Sequence, residues 1–159
     1  MKPSILGQTL QVALRSRAVG AIAGWATWTL AEYALHRWAM HGPIRRQPVA
    51  QEHLRHHREP LATDPFLRSL TYLPAALGGA ALGAALRRIS DAATGHGAAA
   101  GFMAGYASYE QLHWRSHHRP PAIAYERWLG QRHAAHHARA RRNFGVTTSV
   151  WDRVFGTSA

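Results

Sequence analysis

The stretch AVGAIAGWATWTLAEYALHRWAMH, residues 18–41, is apolar for most of its length and then ends on two histidines, His36 and His41. A helix over Ala18–Met40 is long enough to cross about 30 Å of hydrocarbon at about 1.5 Å per residue, and Glu32 is its one acid. Two further apolar stretches follow, FLRSLTYLPAALGGAALGAAL at 66–86 and GHGAAAGFMAGYASYEQL at 95–112. They are rich in Gly and Ala and are separated by the short polar link RRISDAAT, which predicts a helical hairpin. Gly79, Gly83, Gly101 and Gly105 recur at intervals of four, a spacing that lets helices approach closely in a membrane or in a soluble Ala/Gly-rich pair. Residues 5–14, ILGQTLQVAL, are too short to span and stop at Arg15 and Arg17, which predicts an interfacial or loosely packed helix. The N-terminal run MKPSILGQTLQVALRSR lacks the pattern of a removable signal peptide. The expected architecture is one all-α domain over residues 1–159, an integral membrane bundle of three to four helices with a helical cap.

Charge and composition restrict the chemistry. With no cysteine in the chain, disulfides, thiolate zinc sites, Fe–S clusters and thiolate-ligated haem are excluded, so any metal is held by nitrogen and oxygen. The formal charge of +11 fits nucleic acid, an anionic membrane surface or the cytoplasmic segments of a membrane protein. Fourteen of the nineteen cations lie in residues 36–68 or after the third stretch. A hairpin returns the chain to the side it left, so both basic segments are expected on the cytoplasmic face; Arg87 and Arg88 in the link depart from that pattern. Topology thus accounts for the charge without nucleic acid.

Eleven of twelve histidines fall on those two segments, and His96 stands apart. His53, His56 and His57 repeat the spacing of His133, His136 and His137. On a helix, residues four apart sit about 40° from one another, so His53 pairs with His57, His133 with His137 and His113 with His117. The middle member of each triad turns to a different direction, so one triad suits two neighbouring ions. His36 and His41 would be about 140° apart on an ideal helix and also suit two ions better than one, unless the helix loosens at Gly42 and Pro43. His118, about 140° from His113, is left out. Ten histidines exceed one coordination sphere, and two metals at about five ligands each is the simplest division. Imidazoles suit zinc, copper, iron or nickel. Glu32 and Glu110 sit one turn before His36 and His113, where a carboxylate can orient a ligating ring by accepting its second N–H.

The order HRWAMH, HLRHH, HWRSH, HAAHH and then RNFGVTTSVWDRVFGT, over roughly residues 35–157, resembles the fatty acid hydroxylase/sterol desaturase superfamily of membrane di-iron oxygenases. The resemblance implies a helical membrane fold whose cytosolic cap carries two irons, with zinc able to substitute in isolated protein. Carried over residue by residue, it implies His36, His41, His53, His56, His57, His113, His117, His133, His136 and His137 as ligands. Asn143 and Asp152 would organise the C-terminal turn around them. The implied activity is O2-dependent hydroxylation of an unactivated C–H bond in a fatty acyl, sterol or isoprenoid chain, at a bacterial inner membrane with the metals facing the cytoplasm. Desaturation begins with the same hydrogen abstraction and stays open, as does a non-catalytic membrane metal-binding protein. The family's first membrane helix is expected to be shortened here to residues 5–14, with the substrate tunnel reduced or completed by another subunit. No fused cytochrome b5-like domain is expected, so electrons would come from a separate cytochrome b5-like protein, ferredoxin or reductase.

Overall fold

The computed structural model describes residues 5–43, 45–62 and 71–159, and among these every regular element is helical. The order is α1 (Ile5–Ala34), a π-helical turn (Leu35–Met40), α2 (Pro48–Arg58), α3 (Tyr72–Ile89), α4 (Ala92–His118), α5 (Ala124–Ala138) and α6 (Val150–Val154). The first part of the expected second apolar stretch, residues 66–70, lies outside the described residues. Segment 5–14 is not a separate interfacial helix: it continues through Arg15, Ser16 and Arg17 into α1, because no Gly or Pro interrupts the chain there and arginine is a good helix former. Among the described residues no helix is long and apolar enough to cross a membrane. The described parts of the predicted spans do form helices, but Gly and Thr dilute their hydropathy and Glu32 and Glu110 interrupt it.

The chain divides into two compact units. Unit one holds α1 up to Trp28, α3 from Leu73 and α4 up to Tyr106. Its glycines place backbone on backbone. A Cβ on Gly24 would lie 2.0 Å from the Ala98 carbonyl oxygen, and one on Gly101 would lie 2.0 Å from that of Ala21. The glycines expected to join the hairpin therefore serve two partners: Gly83 meets Gly95 across α3 and α4, whereas Gly101 and Gly105 meet α1. Trp28 fills the interior with edge contacts to Phe102 at 5.3 Å and Tyr106 at 5.1 Å. The hairpin link is only Ser90 and Asp91, and the Asp91 carboxylate caps α4 by accepting from the Thr94 N–H at 2.9 Å.

Unit two holds the end of α1 from Thr29, the π turn, α2, the end of α4 from Ala107, α5, and the C-terminal loop with α6. Tyr33 is its fully buried anchor, stacked on Phe155 at 5.2 Å. A relay of hydrogen bonds runs through it. Arg37 Nη1 donates to the Tyr33 hydroxyl at 2.7 Å, and the Tyr33 and Thr157 hydroxyls are 3.0 Å apart. Thr157 donates to Asp152 Oδ1 at 2.7 Å, which leaves Tyr33 as donor to Thr157.

Candidate metal centre

Pro48 at the first helical position opens α2, and the Gln47 side chain accepts from the Val49 N–H at 3.1 Å. That start fixes which way the triad of α2 turns. Across unit two, His36, His41, His53, His57 and His136 form one group, and His56, His113, His117, His133 and His137 form another. Within each group the ligand-capable nitrogens all lie within 4.8 Å of one another. All ten histidines chosen by spacing are therefore gathered, five to a group. The triads divide in opposite senses: α2 gives two rings to the first group and one to the second, α5 one to the first and two to the second. His118 instead stacks on Trp114 at 4.9 Å, and His96 is exposed.

One expectation is corrected. His36 and His41 do not serve two groups; both join the first. The helix loosens earlier than Gly42 and Pro43, in the π turn, where the His41 N–H bonds the His36 carbonyl at 3.1 Å. An i→i+5 turn brings residues five apart onto one side, which an ideal α-helix does not.

The nitrogens are too crowded to be satisfied by one another. His53 Nε2 lies 3.1, 2.9 and 3.1 Å from the Nε2 atoms of His36, His41 and His57. His136 Nε2 is 3.1 Å from both His41 and His57. In the second group His133 Nε2 is 2.8 Å from His117 and 3.0 Å from His137, and His113 is 3.0 Å from His56. A neutral ring nitrogen offers one lone pair or one N–H, so His53 can satisfy at most one of three neighbours. A cation among five lone pairs satisfies them together. Imidazoles about 2.1 Å from an ion and at right angles lie about 3.0 Å apart, against about 3.4 Å for a tetrahedral site. The observed spacings fit a five- or six-coordinate ion.

Electrostatics keeps the lone pairs free of protons. Burial, then the neighbouring His117 and His137, push His56 down to about 3. Burial also lowers His117 to about 4. His136 is lowered to about 4, again chiefly by burial, with its bond to the Arg142 carbonyl opposing. His53 and His133 are driven well below the usual histidine range by the same burial.

Carbonyls of the C-terminal loop orient two of the rings. His36 Nδ1 donates to the Phe144 carbonyl at 2.5 Å, and His136 Nδ1 to the Arg142 carbonyl at 2.7 Å. Each bond fixes the tautomer that turns an Nε2 lone pair into the first group. Asp152, fully buried, holds the loop: it accepts from the Phe144 N–H at 2.8 Å, the Gly145 N–H at 3.0 Å and Arg132 Nη2 at 2.9 Å. Asn143 takes a positive φ of 56°, and its Oδ1 accepts from the Ala159 N–H at 3.0 Å. Glu32 acts differently from the expectation of a direct ring contact. Its carboxylate accepts from the Val146 N–H at 2.5 Å, the Thr147 N–H at 3.0 Å and the Thr147 hydroxyl, so it secures the loop whose carbonyl meets His36. Glu110 is buried one turn before His113.

Residues 21–157 match the family model for fatty acid hydroxylases. The chain belongs to the fatty acid hydroxylase family. It is 31% identical over 144 residues to dihydroceramide fatty acyl 2-hydroxylase FAH2 of Arabidopsis thaliana, covering 84% of this chain and 58% of that one. It is 30% identical over 149 residues to the ceramide very long chain fatty acid hydroxylase scs7 of Schizosaccharomyces pombe, covering 86% and 41%. A solved structure described as full-length scs7p, with only the hydroxylase domain visible, superposes with a TM-score of 0.65 at 28% identity, covering 92% of this chain and 57% of that one. The chain thus spans about three fifths of the length of the plant relative.

Sequence reasoning missed the backbone carbonyls of Arg142 and Phe144 and the parts of Thr147 and Arg132. A backbone group leaves no residue-type signature. Its nearest trace is Asn-Phe-Gly at 143–145, with Asn143 in the left-handed region and Gly145 so tight that a Cβ would meet the Thr148 carbonyl oxygen at 2.0 Å.

Proposed function

We propose that this chain is an O2-dependent lipid hydroxylase acting on a fatty acyl chain, free or in a ceramide. The observation that carries the reading is the pair of five-histidine groups in a chain of this family. Two irons, one in each group, would supply O2 activation, with zinc able to occupy the same imidazoles. The names of the relatives, acyl and ceramide hydroxylases, support the substrate class. Overall, one C–H bond becomes C–OH while O2 and two electrons with two protons also yield water.

The protein's own groups supply position and environment. The loop carbonyls aim His36 and His136, burial keeps the imidazoles unprotonated, and Glu32 and Asp152 hold the loop still. The electrons come from a separate cytochrome b5-like protein, ferredoxin or reductase. Membrane attachment is part of the proposal: Ile5, Leu10, Val12, Leu14, Val19 and Ile22 of α1 are exposed apolar residues that lipid would cover. The groups would then face the cytoplasm of a bacterial cell.

The test is an untargeted lipid mass comparison between cells expressing the intact chain and cells expressing His136→Ala, with a reductase supplied. The expected result is a species heavier by one oxygen in the intact strain alone. A species lighter by two hydrogens would make the chain a desaturase. No difference in a strain holding the native lipids and donor would overturn the oxygenase reading in favour of a metal-binding protein.

A further inference from the structure

Unit one carries an open cleft of about 500 Å³ along α3 and α4, and no histidine of the metal groups lines it. On α3 it is walled by Ala80, Gly83 and Ala84 and then by Arg87 and Arg88, positions that recur on one helix face. On α4 it is walled by Gly95, His96 and Ala99. The glycines create the cleft. A Cβ on Gly95 would lie 2.6 Å from the Gly83 carbonyl oxygen and 2.8 Å from the Arg87 Cβ, so the bare backbone brings Arg87 against α4 beside His96.

The charges at this end are uncompensated. Among the described residues neither Arg87 nor Arg88 has an ion-pair or hydrogen-bond partner, and both are exposed. The acid three residues on, Asp91, is already engaged by the Thr94 N–H and hydroxyl at 2.9 and 2.8 Å. From Arg87 back along α3 the same face is apolar: Ala84 and Ala80 lead to Leu77 and Leu73, which are 62% and 65% exposed. Fourteen residues of helix cover about 21 Å, more than the roughly 15 Å depth of one bilayer leaflet. A cation cluster at the end of a long apolar track matches an amphiphile with an anionic head. Guanidinium groups bind phosphate through paired, charge-assisted hydrogen bonds, while an acyl chain needs only smooth apolar walls.

We propose that this cleft seats one anionic phospholipid, its phosphate among Arg87, Arg88 and His96 and one acyl chain along Ala80, Gly83 and Ala84. The site stands apart from the histidine groups and does not depend on the hydroxylase reading.

The test uses the full chain in detergent and native mass spectrometry with phosphatidylglycerol, phosphatidylcholine of the same chains, and inorganic phosphate. One phosphatidylglycerol per chain should be retained at least about tenfold better than phosphatidylcholine, which carries the same phosphate but also an ammonium that the two guanidinium groups repel. Arg87→Ala/Arg88→Ala should fall to the phosphatidylcholine level, and Ala84→Phe, on an exposed position that fills the track, should also lose phosphatidylglycerol. Unchanged elution volume and helical circular dichroism establish that both variants are folded. Inorganic phosphate should leave the lipid bound. Equal retention of phosphatidylcholine, full retention by the double variant, or displacement by phosphate alone would each overturn the proposal.

Discussion

His36 enters the first histidine group on the strength of one carbonyl, and Glu32 secures the loop that presents it. Glu32→Ala leaves the Val146 N–H, the Thr147 N–H and the Thr147 hydroxyl without their buried acceptor. Chemical denaturation of the purified protein should show a loss of about 3 kcal/mol, since each stranded buried group costs about 1–3 kcal/mol and the loop relaxes in part. Glu32→Gln, which keeps one acceptor oxygen, should lose less. Metal affinity should fall in the first group by about 10–100-fold while the second group is spared, because Glu32 reaches the metal only through loop and ring. The identities of the ten histidines were legible in the sequence because side-chain type and spacing carry them. The carbonyls that orient His36 and His136 were not, because every residue has a carbonyl and only the path of the loop selects Arg142 and Phe144.

At the scale of elements, the hairpin, the triad helices and the α4 pair were readable from periodicity, and two features were not. One is the π turn at Leu35–Met40: its i→i+5 bond depends on the site around it, and ideal-helix geometry sends His36 and His41 apart. The other is the partner of each glycine face. Four-residue spacing announces a close approach without naming what approaches, and Gly101 turned out to meet α1. Paired substitutions test the distinction. Gly24→Ala forces a Cβ within 2.0 Å of the Ala98 carbonyl oxygen and should lower stability by about 1–3 kcal/mol, read as a lower melting temperature. Gly130→Ala, inside α5 with nothing within 4 Å of the new Cβ, should instead raise stability by about 0.5–1 kcal/mol.

Over the whole molecule, the histidine groups tie stability to pH and to metal. In metal-free protein His56 is held down to about 3 and His117 and His136 to about 4, against 6.5 for an ordinary histidine. The unfolded chain therefore binds more protons once the pH drops below about 6.5. The histidines' contribution to stability is fully present above that value and is lost as pH falls toward about 4, offset only in part by Glu32, whose carboxyl burial raises to about 7; denaturation of the metal-stripped protein across pH 7 to 4 should display the net loss. Bound metal should oppose the loss, because it competes with protons for the same nitrogens. The measurement that bears most directly on the account is metal content per chain by plasma mass spectrometry, for the intact protein and for His136→Ala and His133→Ala. Two ions in the intact chain and about one in each variant, with the remaining ion in the undisturbed group, is the predicted result. A single ion in the intact chain, or two ions retained in either variant, would contradict a centre built from two five-histidine groups.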